Sequence, residues 1–105
     1  MFIRNVTMKL KANIAAPEFN RIIESEVLPL LRKQSGFRDE ITFVAAERSE
    51  AVAISFWETK EDLEAYTRNW YPELLKSLSK IVEGTPKVEI FELATTTLHK
   101  LAANA

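Results

Sequence analysis

The sequence predicts an α+β domain of the ferredoxin-like type, in which helices cover one face of a four-stranded antiparallel sheet. Its hydrophobic pattern follows the order strand, helix, strand, strand, helix, strand, which is the order of that fold. A chain of 105 residues is long enough for one core, so we expect a single domain over residues 1–105. Several predicted strands are apolar on both faces, and a second sheet is the expected cover for the face without helices. The sequence therefore also predicts a homodimer.

The first strand is predicted from a period-2 pattern, because apolar residues occupy even positions and polar residues occupy odd ones. The apolar set is Phe2, Val6, Met8 and Leu10, and the polar set is Asn5, Thr7 and Lys9. An amphipathic helix of about four turns is predicted from Pro17 to the residues before Gly36. Pro29 lies inside this helix, where it removes a backbone donor and crowds the preceding turn. We therefore expect a kink or a break near Val27.

A β-hairpin and a second helix are predicted in the middle of the chain. The polar residues 47–50 indicate a turn, since alternating apolar patterns precede and follow them. Thr59 offers a hydroxyl N-cap for the helix, and acidic residues follow in the first turn. Pro72 stands where a restarted helix would begin, and the apolar face is expected to extend to Val82. Gly84 is expected to end this helix.

The C-terminal part combines a final strand with a tail. Residues 85–93 carry apolar side chains on both sides of a pleat, which predicts the fourth strand. The tail, from about residue 95 to residue 105, has no further strand pattern, and its last residues are expected to fray.

The composition argues against several classes of function. Lys and Arg number 14 against 15 Asp and Glu and are scattered, which argues against a nucleic-acid partner. No cysteine is present, so disulfides, thiolate metal sites and a cysteine nucleophile are excluded. The carboxylates and the single histidine, His99, show no zinc or iron ligand spacing, so we expect no metal and no cofactor. No apolar run reaches the roughly 18–20 residues that span a bilayer, and residues 1–11 lack a secretory-signal pattern. We therefore expect a cytoplasmic protein without a membrane partner.

Two segments resemble a known family, the domains related to antibiotic biosynthesis monooxygenases within the dimeric α+β barrel superfamily. EVLPLLRKQSGF is similar to the family's first helix end and entry to the second strand, and ISFWETKEDLEAY is similar to its junction between third strand and second helix. With the element order, the resemblance covers about residues 2–94. It implies a homodimer whose two sheets face each other, with a pocket between sheet and helices in each subunit.

The resemblance implies a range of activities rather than one. Members of this superfamily carry out cofactor-free oxygenation of polyphenolic or quinone-like substrates, haem breakdown, or lactone and dehalogenation chemistry, and some have no demonstrated reaction. Fold does not decide among these possibilities.

Haem degradation is the activity that the residues fit least. Haem-degrading members use an asparagine on the first strand, a tryptophan on the second helix and a histidine later in that helix. Asn5 matches the first of these positions, but Tyr66 and Lys76 occupy the other two, and the only histidine, His99, lies in the tail. The resemblance therefore argues against a haem-degrading enzyme.

Four residues are the candidates for a site. Asn5 could act as the catalytic group, because a side-chain amide can donate to a developing oxyanion or orient a substrate hydroxyl; a polar strand residue facing solvent is the simpler interpretation. Tyr66 and Trp70 are four residues apart on the predicted helix, so they share a face and could enclose an aromatic substrate. Arg4 could favour an anionic phenolate, whereas an ion pair across the sheet is the simpler account.

Other residues of these types are expected to be structural. We interpret Trp57 as part of the core, and we expect Tyr71 to point away from the face of Trp70 and to reach the dimer surface. Asp39 and Glu40 are adjacent on a strand, hence on opposite faces, and solvated charge is the simplest interpretation. Two functional hypotheses follow: a cofactor-independent monooxygenase-like enzyme (an oxidoreductase) acting on a small aromatic or polyphenolic compound, and a binding or structural module without chemistry.

Overall fold

Four strands form a single antiparallel sheet in the computed structural model, which describes residues 1–98. The strands are β1 (Phe2–Leu10), β2 (Phe37–Ala45), β3 (Glu50–Trp57) and β4 (Val82–Glu92). Their order across the sheet is β2-β3-β1-β4, so the first and third strands are central and the other two form the edges. This arrangement confirms the predicted ferredoxin-like α+β fold. His99 and the rest of the predicted tail beyond residue 98 lie outside the described residues.

The helices pack against one face of this sheet. They are α1 (Ala16–Ile22), α2 (Leu28–Arg32), α3 (Lys60–Asn69) and α4 (Tyr71–Leu78), with a π-helical turn at Ile23–Val27 between the first two and a 3-10 turn at Ala46–Arg48 in the hairpin. Within residues 1–98, no helix has the length and apolar character needed to cross a membrane.

The irregularity predicted near Val27 is present as the π-helical turn. This turn comes directly before α2, which has Pro29 in its first turn. Because proline has no backbone N–H, the carbonyl of Ser25 cannot receive the usual bond from the residue four positions later. A π turn shifts the bonding by one residue, so the helical path can continue past the proline.

The core lies between the sheet and the helices, and alternate residues of β1 and β3 face it. The buried side chains from these strands are Val6, Met8, Leu10, Ala51 and Trp57, and those from the helical layer are Phe19, Ile23, Val27, Leu31, Leu63, Tyr66, Leu74 and Leu78. Trp57 is fully buried, as the sequence led us to expect.

The predicted N-cap fixes the start of α3. The Thr59 hydroxyl accepts a hydrogen bond from the Asp62 amide at 3.1 Å and donates to the Asp62 carboxylate at 2.9 Å. Gly36 lies against this cap with a φ of +79°, and the Glu58 amide donates to its carbonyl at 2.9 Å. The cap therefore ties α3 to the chain entering β2, and this sets where the inward residues of α3 meet the sheet.

The predicted end of the second helix was wrong. α4 ends at Leu78, and Val82 is the first residue of β4, where it pairs with Leu10. Gly84 lies within β4 at a φ of +73°, near a register shift opposite Thr7 and Lys9. A glycine adopts this backbone conformation without a Cβ penalty and so permits the irregularity. The apolar residues before Gly84 extended the helical pattern, although they belong to a buried turn and a strand.

The sheet face opposite the helices is largely apolar. Residues that pair across adjacent strands share a face of the sheet, and the register places several such sets of paired apolar residues on this side. Its apolar residues are Ile3, Ile41, Phe43, Val52, Ile54, Phe56 and Phe91. Phe43 and Phe91 are 53% and 50% exposed, which is unusual for phenylalanine in a water-facing position.

Candidate functional site

A small cavity of about 40 Å³ lies between the sheet and the helices. Most of its lining is aliphatic and comes from β1, the π turn, α2 and α4. Five polar or titratable side chains also line it: Arg4, Glu40, Ser55, Tyr66 and Tyr71. An apolar cavity with a few convergent polar groups is the usual form of a small-molecule site.

Among the charged residues of the described part of the chain, Arg4 is the most buried, with only 2% of its surface exposed. Its Nε donates to the Thr67 hydroxyl at 3.2 Å, and that hydroxyl donates in turn to the Leu63 carbonyl at 2.9 Å. Within residues 1–98, Nη2 of Arg4 is buried without a hydrogen-bond partner, and the ion pairs of this part of the chain do not include Arg4. The expected ion pair across the sheet is therefore absent from the described residues.

Two tyrosine rings surround the Arg4 guanidinium. Its central carbon is 3.9 Å from the ring centroid of Tyr71 and 5.3 Å from that of Tyr66. The negative faces of aromatic rings attract a cation at such distances, and the attraction grows when the cation is removed from water. These contacts position the guanidinium without neutralising its charge, which remains available to an anion.

Tyr66, which lines the cavity, belongs to an aromatic cluster whose other members, Trp57 and Phe37, are not among the lining residues. The rings of Trp57 and Tyr66 lie 5.0 Å apart with 29° between their planes, and Phe37 meets Trp57 edge-on at 5.6 Å. Trp57 Nε1 donates to the Ser55 hydroxyl at 2.9 Å. Burial raises the pKa of Tyr66 to about 12, although the nearby Arg4 charge opposes this rise. Tyr66 is therefore a neutral phenol at physiological pH.

The break between α3 and α4 brings Tyr71 into the cavity and turns Trp70 out of it. α3 ends at Asn69, Trp70 has the non-helical backbone angles φ −124° and ψ −31°, and α4 begins at Tyr71 with Pro72 in its first turn. Tyr66 and Trp70 thus do not share a face as four-residue spacing implied; Trp70 is 43% exposed and does not line the cavity. Tyr71 does point away from Trp70, as expected, but it faces the cavity and not an outer surface. Its hydroxyl is buried and has no hydrogen-bond partner within residues 1–98.

A row of three polar residues crosses the sheet beneath the cavity. Arg4 on β1 pairs with Ser55 on β3, and Ser55 pairs with Glu40 on β2. Residues opposite one another across adjacent strands point to the same face, so all three side chains are on the helix-covered side. Two interstrand steps separate the Cα atoms of Arg4 and Glu40 by about 10 Å.

Glu40 is not the solvated charge that its sequence context indicated. Burial raises the pKa of its carboxyl, while the Thr42 hydroxyl, which donates to both carboxylate oxygens at 2.8 and 2.7 Å, lowers it in part. The hairpin register contained a signal for this position. Ala45 pairs with Glu50 next to the turn. Five residues farther from the turn on each strand, Glu40 pairs with Ser55. The predicted turn, residues 47–50, lies one residue later than the actual turn at 46–49, and this shift hid the relationship.

Asn5 lies on the other face of the sheet. It pairs with Ile54, and its Nδ2 donates to the Thr7 hydroxyl at a long 3.4 Å. The cavity lining does not include it. The structure therefore brings Arg4 and Tyr66 together with Tyr71, Ser55 and Glu40, and leaves Asn5 and Trp70 outside this cavity.

Solved structures with the same fold have been described. A monooxygenase from Streptomyces coelicolor in complex with the ligand nanaomycin D has a TM-score of 0.72 and 19% identity, covering 92% of this chain and 90% of that one. A cofactor-independent oxygenase from Streptomyces nogalater has a TM-score of 0.70 and 15% identity, covering 92% and 97%. A Nitrosomonas europaea protein of unknown function has a TM-score of 0.72 and 16% identity, covering 92% of each chain.

The sequence resemblance to antibiotic biosynthesis monooxygenases is thus confirmed at the level of the fold, since a protein of that description also matches with a TM-score of 0.65. Identities of 11–19% show a common fold and leave the activity of this chain open. No protein-family model matches the sequence, and no curated protein is significantly similar to it.

Proposed function

We propose that this protein is a cytoplasmic, homodimeric oxygenase that requires no cofactor and acts on a small aromatic phenol bound in the cavity. The observation that carries the proposal is the buried Arg4 guanidinium, whose Nη2 is without a partner in the described part of the chain and lies among tyrosine rings. An unsatisfied buried donor costs about 1–3 kcal/mol, and more when it is charged. An oxyanion that accepts this hydrogen bond would recover that cost.

The chemistry requires a substrate that supplies its own electrons. Loss of a proton from a phenol with an activated ring methylene gives an electron-rich anion that can react with molecular oxygen. Conversion of the methylene to a carbonyl then consumes one O₂, places one oxygen atom in the product and releases the other as water with the two methylene hydrogens. Arg4 would stabilise the substrate oxyanion through its charge, and the neutral phenol ring of Tyr66 would pack against the substrate ring. The similarity in fold to a cofactor-independent oxygenase supports this chemistry.

The homodimer is supported by the apolar sheet face opposite the helices. Two half-exposed phenylalanines, Phe43 and Phe91, lie there with several half-buried aliphatic residues. Large exposed apolar patches mark interaction surfaces. A second copy of the same sheet offers a complementary apolar surface, and the pairing of identical patches forms a closed, two-fold interface.

A second candidate function is a binding or structural module without chemistry, and the small size of the cavity favours it over an enzyme that encloses an aromatic substrate. Pockets for drug-sized ligands usually hold about 300–1,000 Å³, far more than the 40 Å³ found here. The Trp57 and Tyr66 stack fills space that a larger ligand would need. A substrate of two or three rings would therefore have to displace part of the helical layer, whereas a single ring requires less movement.

Two measurements on one set of compounds separate these functions. The fluorescence titrations use Trp70→Phe as the parent protein, because it leaves Trp57 as the sole tryptophan. A panel of quinones, flavonoids and simple phenols should quench the fluorescence of Trp57, and an oxygen electrode should record O₂ uptake for at least one of the ligands. Arg4→Met should abolish oxygen uptake and weaken the binding seen as quenching about 10- to 100-fold. Arg68→Met, which removes an exposed arginine of α3, should leave both signals unchanged. Quenching without oxygen uptake would establish the binding function instead. If Arg4→Met and Arg68→Met gave the same signals, Arg4 would not be part of the site.

A further inference from the structure

The polar row beneath the cavity ends in opposite charges that do not meet. Arg4 and Glu40 flank Ser55 on one face of the sheet, with Cα atoms about 10 Å apart. Within residues 1–98 neither forms an ion pair, and both line the cavity. A ring seated over Ser55 would therefore have a cation at one end and a carboxylate at the other.

The hydrogen bonding of Glu40 leaves it able to accept a proton. Among the described residues, the Thr42 hydroxyl donates a hydrogen bond to its carboxylate from two residues along the same strand. Burial disfavours the ionised form and raises the pKa of this carboxyl, which makes it a stronger base than an exposed glutamate. A general base works best when its pKa lies close to the operating pH.

We propose that Glu40 is the proton acceptor of this cavity, and that the ligand is an aromatic hydroxy compound conjugated through its ring to a second oxygen, which lies at Arg4. This inference rests on the proposed ligand site and names its substrate class. The hydroxyl of such a compound faces Glu40, and its carbonyl or equivalent oxygen faces Nη2 of Arg4. A simple phenol has one oxygen, which cannot contact both Glu40 and Arg4. A compound with a second, conjugated oxygen can contact both residues at once.

The proton transfer is balanced within the site. The ligand hydroxyl loses its proton to the Glu40 carboxylate, which becomes a neutral acid, and the electron pair of the broken O–H bond stays on the ligand. Conjugation moves the negative charge toward the oxygen at Arg4, where the guanidinium stabilises it. The complex of protein and ligand exchanges no proton with solvent, and the ligand anion ends next to the Arg4 cation.

The other charged and titratable groups around Glu40 are compatible with this assignment. Across the cavity are Arg4 of β1, Tyr66 of α3 and Tyr71 of α4. On the outer side, Glu40 shares a groove with Arg32 of α2 and with its strand neighbours Arg38 and Asp39. Arg38 is paired with Glu58, so its charge is engaged elsewhere. Tyr66, whose pKa is about 12, does not compete for the proton.

The test uses 4-nitrophenol as the probe, because its hydroxyl is conjugated to nitro oxygens at the opposite end of the ring and its anion has a distinct visible absorbance. Below the pKa of the free probe, binding to the wild-type protein should produce the band of the anion. Calorimetry in buffers of different ionisation enthalpy should detect no net proton release. In Glu40→Gln the anion band should fall at least about tenfold, the equivalent of one pKa unit. 4-Nitroanisole, which has no ionisable hydroxyl, should bind to both proteins without spectral change.

The pH dependence of the anion band in Thr42→Val provides a second test, because it would not change if Glu40 had only a structural role. Removing the hydroxyl takes away the hydrogen bond that lowers the pKa of Glu40. The low-pH edge of the anion band, where Glu40 becomes protonated before the probe binds, should therefore move to higher pH.

The outcomes separate this inference from the proposed site. Fluorescence quenching of Trp57 by the probe without an anion band in the wild-type protein would overturn the role of Glu40 and leave the site in place. An anion band of equal size in Glu40→Gln, or an unmoved edge in Thr42→Val, would do the same. The absence of quenching by any conjugated hydroxy aromatic would overturn both proposals.

Discussion

The central carbon of the Arg4 guanidinium lies 3.9 Å from the ring centroid of Tyr71. An aromatic ring and one threonine hydroxyl thus hold a buried cation for which the described residues provide no carboxylate partner. Burying such a charge is costly, and replacing it by a well-packed apolar side chain is often neutral or stabilising. This buried charge, which is unpaired among the described residues, is the reason for placing Arg4 in the proposed ligand site.

Arg4→Met should separate folding from binding. Methionine keeps an unbranched side chain of similar reach and needs no hydrogen bonds, so we expect the free energy of unfolding to stay equal or to rise. Affinity for anionic phenols should fall about 10- to 100-fold, since a charge-assisted hydrogen bond is lost. Urea denaturation and fluorescence titration measure the two effects. A variant that unfolds more readily than the wild type and binds normally would contradict this prediction.

Glu40 should make stability decrease as the pH rises. Its folded-state pKa is raised above the ordinary value of 4.5, so the folded protein binds more protons than the unfolded chain in the window between the two pKa values. Stability from this group is fully present below pH 4.5 and is lost as the pH increases through the raised pKa. Glu40→Gln should remove this decline and be more stable than the wild type at neutral pH. Denaturation series over this range would test it, and parallel pH profiles for the two proteins would count against it.

Replacing either glycine by alanine should lower the free energy of unfolding, but by different amounts at the two positions. Both have positive φ, but a Cβ at Gly36 would lie 2.1 Å from Oδ2 of Asp62, whereas a Cβ at Gly84 would meet nothing within 4 Å. Gly84→Ala should therefore cost about 1 kcal/mol from backbone strain, and Gly36→Ala about 2–3 kcal/mol, since it also disturbs the cap of α3. Thermal or urea unfolding of the two variants gives the comparison directly. Equal costs would show that the contact with Asp62 relaxes freely.

Phe43→Glu should separate the proposed homodimer. Phe43 is 53% exposed on the sheet face without helices, and a charge there would be buried without a partner in the dimer. Light scattering at micromolar concentration should give about 24 kDa for the wild type, twice the 12.0 kDa of one chain, and about 12 kDa for the variant. Trp70→Glu, which alters an exposed aromatic residue at the α3–α4 junction, should remain a dimer. A monomeric wild type would contradict the assignment of this face.

Much of the fold could be predicted because its signals are local. The order of strands and helices, the irregularity before Pro29 and the Thr59 cap each depend on residues within one or two turns of one another. The end of α4 was misplaced for the same reason. Ile81 and Val82 continue a helical spacing, and only their contacts with β1 and the core show that they leave the helix.

The sequence by itself determined which face of each element is apolar, and hence a single sheet with helices on one side and a second apolar face on the other. Which side chains meet was decided by the tertiary structure. The helix break at Trp70 places Tyr71 in the cavity and leaves Trp70 outside it. The hairpin register, in which residue 45 pairs with residue 50, aligns Glu40 with Ser55 and Arg4. Helix phase and strand register depend on contacts between residues that are distant along the chain. A one-residue shift moves a strand side chain to the opposite face of the sheet, and it rotates a helix side chain by about 100° around the helix axis.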